Sequence, residues 1–448
     1  MTIWTPDISH SNQPTYLAIV EAIGDAIRLG QLRPGDPLPT HRLLADLLGV
    51  NVSTVTRAYQ EAGRRRLVGG EVGRGTFVLG VASEAALFAL QQRPAGGVID
   101  LSLNMPPVAA RDGDLAAFTG HLGPVEAARL LHYPTPGETL VHRQAAAGWL
   151  RRRGMEADPE GILVCAGAQH AMDTALSLFP EQEEVACEAL VYPGLKAAAR
   201  HWRRRLHPMA MDAEGLLPAA FEAACRNGLR LAVVSPTLHN PTTATMGPSR
   251  RRRLVEIART WDAVLVEEDV YGLLKEDAPP PLAALAPERV LYLTGLSKTV
   301  SPGLRLGYLL FPPGLRARMR DTEHHTTWYV SALTMALATE WLQNGTAWRR
   351  LLAQRRELAV RHRLCQKLLQ GFRWRGEPHC PHVWLDSPKG GAAAFAKRAL
   401  EAGVVVVPSS VLAVGRLSAG DGVRISIGSA PDRRTLAEGL SRLSALGA

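Results

Sequence analysis

Val290-Leu291-Tyr292-Leu293-Thr294-Gly295-Leu296-Ser297-Lys298-Thr299-Val300-Ser301-Pro302-Gly303-Leu304-Arg305-Leu306-Gly307-Tyr308 is the stretch whose reading decides the fold. It runs from an apolar, strand-like segment into a lysine, with a hydroxyl just before the lysine and an arginine seven residues after it. An amine, a hydroxyl and a planar guanidinium grouped this way can hold an aldehyde and its attached phosphate together. The chain has only six lysines (Lys196, Lys275, Lys298, Lys367, Lys389, Lys397), and of these only Lys298 follows a strand-like run.

Working outward, similar apolar runs recur from Ile99 onward between helical segments: Gly161-Ile162-Leu163-Val164, Leu231-Ala232-Val233-Val234 and Ala263-Val264-Leu265-Val266. Such alternation implies an α/β domain with a mostly parallel sheet and helices on both faces. Ligands of these sheets bind beyond the carboxyl ends of the strands. The first run leads into Gly167-Ala168-Gln169-His170, which enters a helix whose free N–H groups suit a phosphate. The second leads to Asn240, the third to Glu267-Glu268-Asp269-Val270-Tyr271, and the fourth to Lys298 itself. Together they read as a pyridoxal phosphate site.

In this order the strand ends closely resemble fold type I aminotransferases, over residues 98 to 440. The resemblance implies a Schiff base at Lys298 and Asp269 on the pyridine nitrogen. It implies Asn240 and Tyr271 on the ring hydroxyl and Tyr192 against the ring face. Ser297, Arg305, Ala168 and Gln169 would surround the phosphate. Gly295 stands where the family often has a serine or threonine, leaving Thr294 or neighbouring backbone to compensate. Tyr133 resembles the tyrosine that reaches the partner subunit's phosphate, which implies a homodimer. Arg424, in Val423-Arg424-Ile425-Ser426, resembles the arginine that binds a substrate α-carboxylate.

The first eighty residues read differently. Ile19, Val20, Ile23 and Ile27 recur at helical spacing in a first helix ended by Gly30. Thr40 can cap a short second helix carrying Leu43, Leu44 and Leu47, and after Gly49-Val50-Asn51-Val52, Ser53 or Thr54 opens a third with Val55, Tyr59 and Leu67 inward. Val68 to Val78 then reads as a hairpin with a glycine-rich tip, a wing carrying Arg74. Two short helices joined by a tight turn are the sequence form of a helix-turn-helix.

The segment from Pro39-Thr40-His41-Arg42 through Ser53-Thr54-Val55-Thr56-Arg57 to Gly73-Arg74-Gly75-Thr76 closely resembles the GntR family of winged-helix repressors. It implies that Arg42, Ser53, Thr54, Arg57, Arg74 and Gly75 face DNA, with Val52 where the family often has an arginine. A GntR-like head on an aminotransferase-like body resembles the MocR family of bacterial transcriptional regulators. That resemblance implies a DNA-binding regulator that senses pyridoxal phosphate, an amino-acid or amine effector, or both, through an aldimine at Lys298. The alternative is a working aminotransferase bearing a DNA-binding head.

The expected division is a winged helix-turn-helix at 1–80, a linker at 81–98 and a body at 99–448 whose smaller C-terminal part begins near 330. The 448 residues, 46% hydrophobic and 21% charged, fit a globular protein with two or three domains. The net charge of +9 does not locate DNA binding, because residues 1–80 hold eight Arg against seven Asp plus Glu; placement does, since Arg57, Arg64, Arg65, Arg66 and Arg74 all follow position 50. The triplets at 151–153, 203–205 and 251–253 read as solvated faces. Five scattered cysteines argue against disulfides or a zinc site, and no metal is expected. Lacking a signal peptide or a membrane-length apolar run, the chain is expected in the cytoplasm.

Overall fold

The computed structural model describes residues 4–8, 13–28, 31–32, 35–65, 67–71, 75–79, 97–107, 112–318, 329–415 and 420–447. The head comprises α1 (Thr15–Arg28), α2 (His41–Leu48), α3 (Val52–Arg64) and the hairpin β1 (Val68–Glu71) and β2 (Gly75–Val78). Its core is its own: Ile19, Val20, Ile23, Ile27, Leu44, Val55, Tyr59 and Leu67 are all buried together. Thr40 caps α2 by accepting from the Leu43 N–H at 3.3 Å, and Gly49, with φ of 63°, supplies the left-handed residue that closes it. Two side-chain bonds then set the angle between α2 and α3. The Tyr59 hydroxyl donates to the Pro39 carbonyl at 2.8 Å, and His41 Nδ1 lies 3.1 Å from Thr56 Oγ1.

The head differs from expectation at one boundary and adds two further details. The third helix opens at Val52, after Asn51, rather than at Ser53 or Thr54. Leu43 and Leu47 are 36% and 48% exposed, because an eight-residue helix with Leu44 and Ala45 inward turns its other positions to solvent. Residues 35–38 add a third, bridge-length strand to the wing, with the Leu38 N–H donating to the Thr76 carbonyl at 2.8 Å. Gly30, Arg66, Arg74 and positions 80–96, which hold most of the expected linker, lie outside the described residues.

The body is built on a seven-stranded sheet: β3 (Ile162–Cys165), β4 (Glu184–Glu188), β5 (Arg205–Met209), β6 (Leu231–Val234), β7 (Val264–Glu268), β8 (Val290–Gly295) and β9 (Gly307–Leu310). The spatial order is β3-β9-β8-β7-β6-β4-β5, and only β9 runs antiparallel to its neighbours. All four residues of β6 and all six of β8 are buried, as strands covered by helices on both faces must be. A smaller antiparallel sheet of Trp374–Arg375, Val383–Asp386, Gly422–Ile425 and Val407–Pro408 forms the C-terminal part. Ile99–Asp100 pairs in parallel with Val404–Val405, so the first stretch of the body belongs to its last part.

Two of the arginine triplets are solvated faces only in part: Arg151, Arg152, Arg252 and Arg253 are exposed, but one arginine of each triplet is not. Arg153 and Arg251 are buried, and both donate to Thr237 Oγ1, at 3.3 and 2.8 Å. The five cysteines are buried, and none forms a disulfide. Among the described residues no helix is long and apolar enough to cross a membrane.

Candidate functional site

The chain meets itself at the carboxyl ends of β3, β6, β7 and β8. Lys298 follows β8 and donates from Nζ to the backbone carbonyl of Asn104. Burial pushes its ammonium down to about 8, helped by the positive charges of Arg424 and Arg305 and opposed by Glu268. Asn104 in turn donates from Nδ2 to the Tyr271 hydroxyl at 2.9 Å. Arg424, on its strand in the small sheet, donates from Nη1 to Asn240 Oδ1 at 2.9 Å and from Nη2 to the Ser102 carbonyl. Lys298, Tyr271, Asn240 and Arg424 therefore share one site, linked by Asn104 and Ser102.

The other rim is the start of α4 (Ala168–Ser177). Gly167 caps it with φ of 91°, and a Cβ there would stand 2.9 Å from Arg305 Nη2. Arg305, itself in the left-handed region at φ 49°, donates from Nη1 to Ser297 Oγ at 3.3 Å. Gly307 permits this approach, since a Cβ would lie 2.6 Å from the Gly167 carbonyl carbon. Arginine, hydroxyl and the first turn of a helix thus converge, as an anion requires. Gln169 donates to the Gly194 carbonyl at 3.1 Å. A side chain at Gly194 would collide with Gln169 and Tyr192, so this glycine lets Tyr192 stand beside α4. Burial raises the Tyr192 hydroxyl to about 12, keeping it neutral.

Buried polar atoms of this site have no hydrogen-bond partner in the protein: Asn104 Oδ1, Gln169 Oε1 and Arg424 Nε. Buried polar groups are nearly always paired, so three such atoms around one lysine point to a ligand. An aldehyde-reactive amine, an anion cradle and a buried guanidinium are the donor set that pyridoxal phosphate and a carboxylate need. The residues fit the cofactor.

Asp269 and Thr294 have partners of their own. Asp269 is not brought to Lys298: its carboxylate accepts from Arg153 Nε at 2.7 Å and from the Tyr292 hydroxyl at 2.9 Å, with both ion-pair partners fully or almost fully buried. Asp269 lies one residue past the end of β7, in a buried network with Arg153 and Tyr292. Thr294 does not compensate for Gly295 either, because its hydroxyl donates to the Asp269 carbonyl at 2.9 Å. A Cβ at Gly295 would stand 3.1 Å from the Leu306 carbonyl oxygen and 3.8 Å from Ala168 Cβ. Tyr133 is 73% exposed and lies against Tyr329, with ring centroids 5.4 Å apart.

Sequence reading missed Asn104, Ser102, Glu268 and Arg153. Asn104 and Ser102 sit in an irregular segment with no periodic signal. Arg153 was hidden in a basic triplet, although a buried carboxylate at a strand end calls for such a partner.

In the head, Arg42, Ser53 and Arg57 are exposed and Thr54 is half-buried. Arg57 stacks on Tyr16, its Cζ 3.9 Å from the ring centroid, so α1 steadies its side chain. Gly75 opens β2 with φ of 102°.

Residues 97–443 match the family model for aminotransferase class I and II, and residues 15–78 match bacterial regulatory proteins of the gntR family. The chain is 28% identical to the uncharacterized HTH-type transcriptional regulator YdeF of Bacillus subtilis, over 99% of this chain and 96% of that one. It is 26% identical to the probable rhizopine catabolism regulatory protein MocR of Rhizobium meliloti, over 80% and 78%. Among solved structures, LysN, an alpha-aminoadipate aminotransferase from Thermus thermophilus complexed with N-(5'-phosphopyridoxyl)-L-leucine, is 25% identical with a TM-score of 0.70, covering 80% of this chain and 96% of that one. The chain belongs to the aminotransferase class I and II family and, with its gntR-family head, has the architecture of the MocR-type transcriptional regulators, a DNA-binding head on a pyridoxal-phosphate body.

Proposed function

We propose that this regulator reports to DNA the occupancy of its body by pyridoxal phosphate and by an effector bearing an amine and a carboxylate. The observation that carries the reading is Lys298 held between Arg305 and Arg424, one at each end of the site. Lys298 is the covalent anchor. Arg305, Ser297, Ala168 and Gln169 hold the phosphate, Tyr192 lies against the ring, and Asn240 and Tyr271 orient the ring hydroxyl. Arg424, with Nε unpaired, receives the effector carboxylate as a planar fork. When bound, the cofactor supplies an electrophilic carbon for amines. An effector amine competing with Lys298 for that carbon would leave the lysine side chain free, and a ligand that differs in affinity for two arrangements of the regulator would bias it between them.

The lowered lysine has a direct consequence. With its ammonium near 8, about one Lys298 in ten is neutral at pH 7, against about one in three thousand for an unshifted lysine. Only the neutral amine adds to an aldehyde. The rate at which the cofactor-free protein captures pyridoxal phosphate is expected to rise about tenfold per pH unit up to pH 8 and level off above it, followed by stopped-flow absorbance. A rate still climbing steeply between pH 9 and 10 would show an unshifted lysine.

On the head, Arg42, Ser53, Thr54, Arg57 and the wing around Gly75 and Arg74 form the DNA-facing surface. Arg57→Ala is expected to weaken operator binding by roughly tenfold to a hundredfold, as for loss of one base contact, and to leave the cofactor absorbance unchanged. Loss of both would count against separate roles for head and body. A promoter-binding profile across the genome, with and without candidate amino acids, tests the regulatory reading as a whole; discrete sites whose occupancy responds to the effector are the expected result.

A homodimer completes the proposal. Val125, Leu131 and Tyr133 stand 87%, 83% and 73% exposed close together in sequence, which is costly for a monomer. Pairing two copies would bury them and bring the partner subunit's Tyr133 to the phosphate.

A further inference from the structure

Three acidic residues in succession, Glu267, Glu268 and Asp269, run across the end of β7, and each has different company. Glu267 accepts from the backbone N–H groups of Leu282 and Ala283 at 3.0 and 2.9 Å and lies 3.8 Å from Arg251. Asp269 accepts from Arg153 and Tyr292, both through Oδ2, and its Oδ1 is buried beside them without a hydrogen-bond partner. These two carboxylates share one buried network, because Arg153 and Arg251 both donate to Thr237. Glu268 lies on the opposite side of the strand. It accepts from Ser235 Oγ at 3.1 Å through Oε2, and among the described residues its Oε1 accepts no hydrogen bond. Its charge acts on Lys298, Tyr192 and Tyr271, all members of the site, whereas Asp269 acts on Arg153, Arg251 and Tyr292.

Resting on the cofactor reading above, we infer that Glu268, not Asp269, is the carboxylate that pairs with the ring nitrogen of pyridoxal phosphate in this chain and keeps it protonated. A protonated pyridine needs an anion in contact, and Glu268 is the acid whose charge reaches Lys298 and both site tyrosines. Asp269 already has a cation, and turning it toward the site would leave Arg153 buried and unpaired. Glu268 is held ready by Ser235, whose own N–H is fixed by Glu188 at 3.1 Å. Burial raises the Glu268 carboxyl, opposed by Ser235 and the charge of Lys298; a ring N–H would lower it further.

The experiment uses the full chain loaded with pyridoxal phosphate labelled with 15N in the ring, and reads the nitrogen chemical shift, which separates protonated from neutral pyridine. In the wild type and in Asp269→Asn the nitrogen is expected to be protonated. In Glu268→Gln it is expected to be neutral, with cofactor retention on dialysis reduced roughly tenfold to a hundredfold, the worth of one charged hydrogen bond. Glu268→Asp is expected to restore part of the protonated signal. A nitrogen that stays protonated in Glu268→Gln, or becomes neutral in a folded Asp269→Asn, overturns the assignment. A wild type that retains no cofactor overturns the cofactor reading itself.

Discussion

Lys298→Ala is expected to abolish covalent capture of pyridoxal phosphate altogether. After borohydride reduction, the wild type should carry a cofactor-derived mass on the peptide containing Lys298, and the variant should carry none on any peptide. The expectation is absolute because of what surrounds the other amines. Lys196 donates to the carbonyls of Val411 and Ala413, and Lys275 is paired with Asp277 and Glu377. The ion pairs raise the Lys275 ammonium, so it is the reverse of a nucleophile. Lys298 alone combines a lowered ammonium with an anion cradle. The variant should still bind operator DNA through its head while losing its response to effector. Mass on Lys196 or Lys275 in the variant would relocate the anchor.

Removing Arg153 should give the largest loss of stability of any single substitution considered for this chain. Arg153→Met leaves the Asp269 carboxylate buried opposite a thioether, and breaking one half of a buried ion pair typically costs about 3–5 kcal/mol. The side chain also gives up its bond to the Pro279 carbonyl at 2.9 Å. Denaturant unfolding, followed at the transition of the body rather than of the head, is the measurement. The double variant Arg153→Met/Asp269→Asn should recover much of the loss, since the uncompensated charge is gone. Were Asp269 the partner of the cofactor ring instead, Arg153→Met would mainly change the cofactor spectrum and leave the unfolding transition close to wild type.

That contrast marks where the sequence was readable and where it was not. Long apolar runs such as Leu231–Val234 announce buried strands, and the position of Lys298 after one of them is unambiguous. Thr40, Gly49 and the spacing of Ile19, Ile23 and Ile27 likewise suffice for the head. Glu267, Glu268 and Asp269 form a harder case. A one-residue displacement along an extended strand exchanges the two faces of a sheet, and with three acids in a row composition cannot say which one faces the ligand. The decision rests on Arg153 and Arg251, far away in sequence, which claim two of the three. Asn104 escaped for a different reason: it works through its backbone carbonyl as well as its amide, and a carbonyl leaves no trace in a sequence.

The pairing of Ile99–Asp100 with Val404–Val405 also has a practical bearing on how this protein can be cut and rejoined. The peptide that follows it carries Ser102 and Asn104, which hold Arg424 and Lys298. A sensor body excised for grafting onto a different DNA reader must therefore retain everything from Gly97 onward. A splice made ten residues later would keep the large sheet and the lysine, yet remove the carbonyls to which Arg424 and Lys298 donate. The stretch that opens the described part of the body thus backs the lysine and the guanidinium through its own carbonyls.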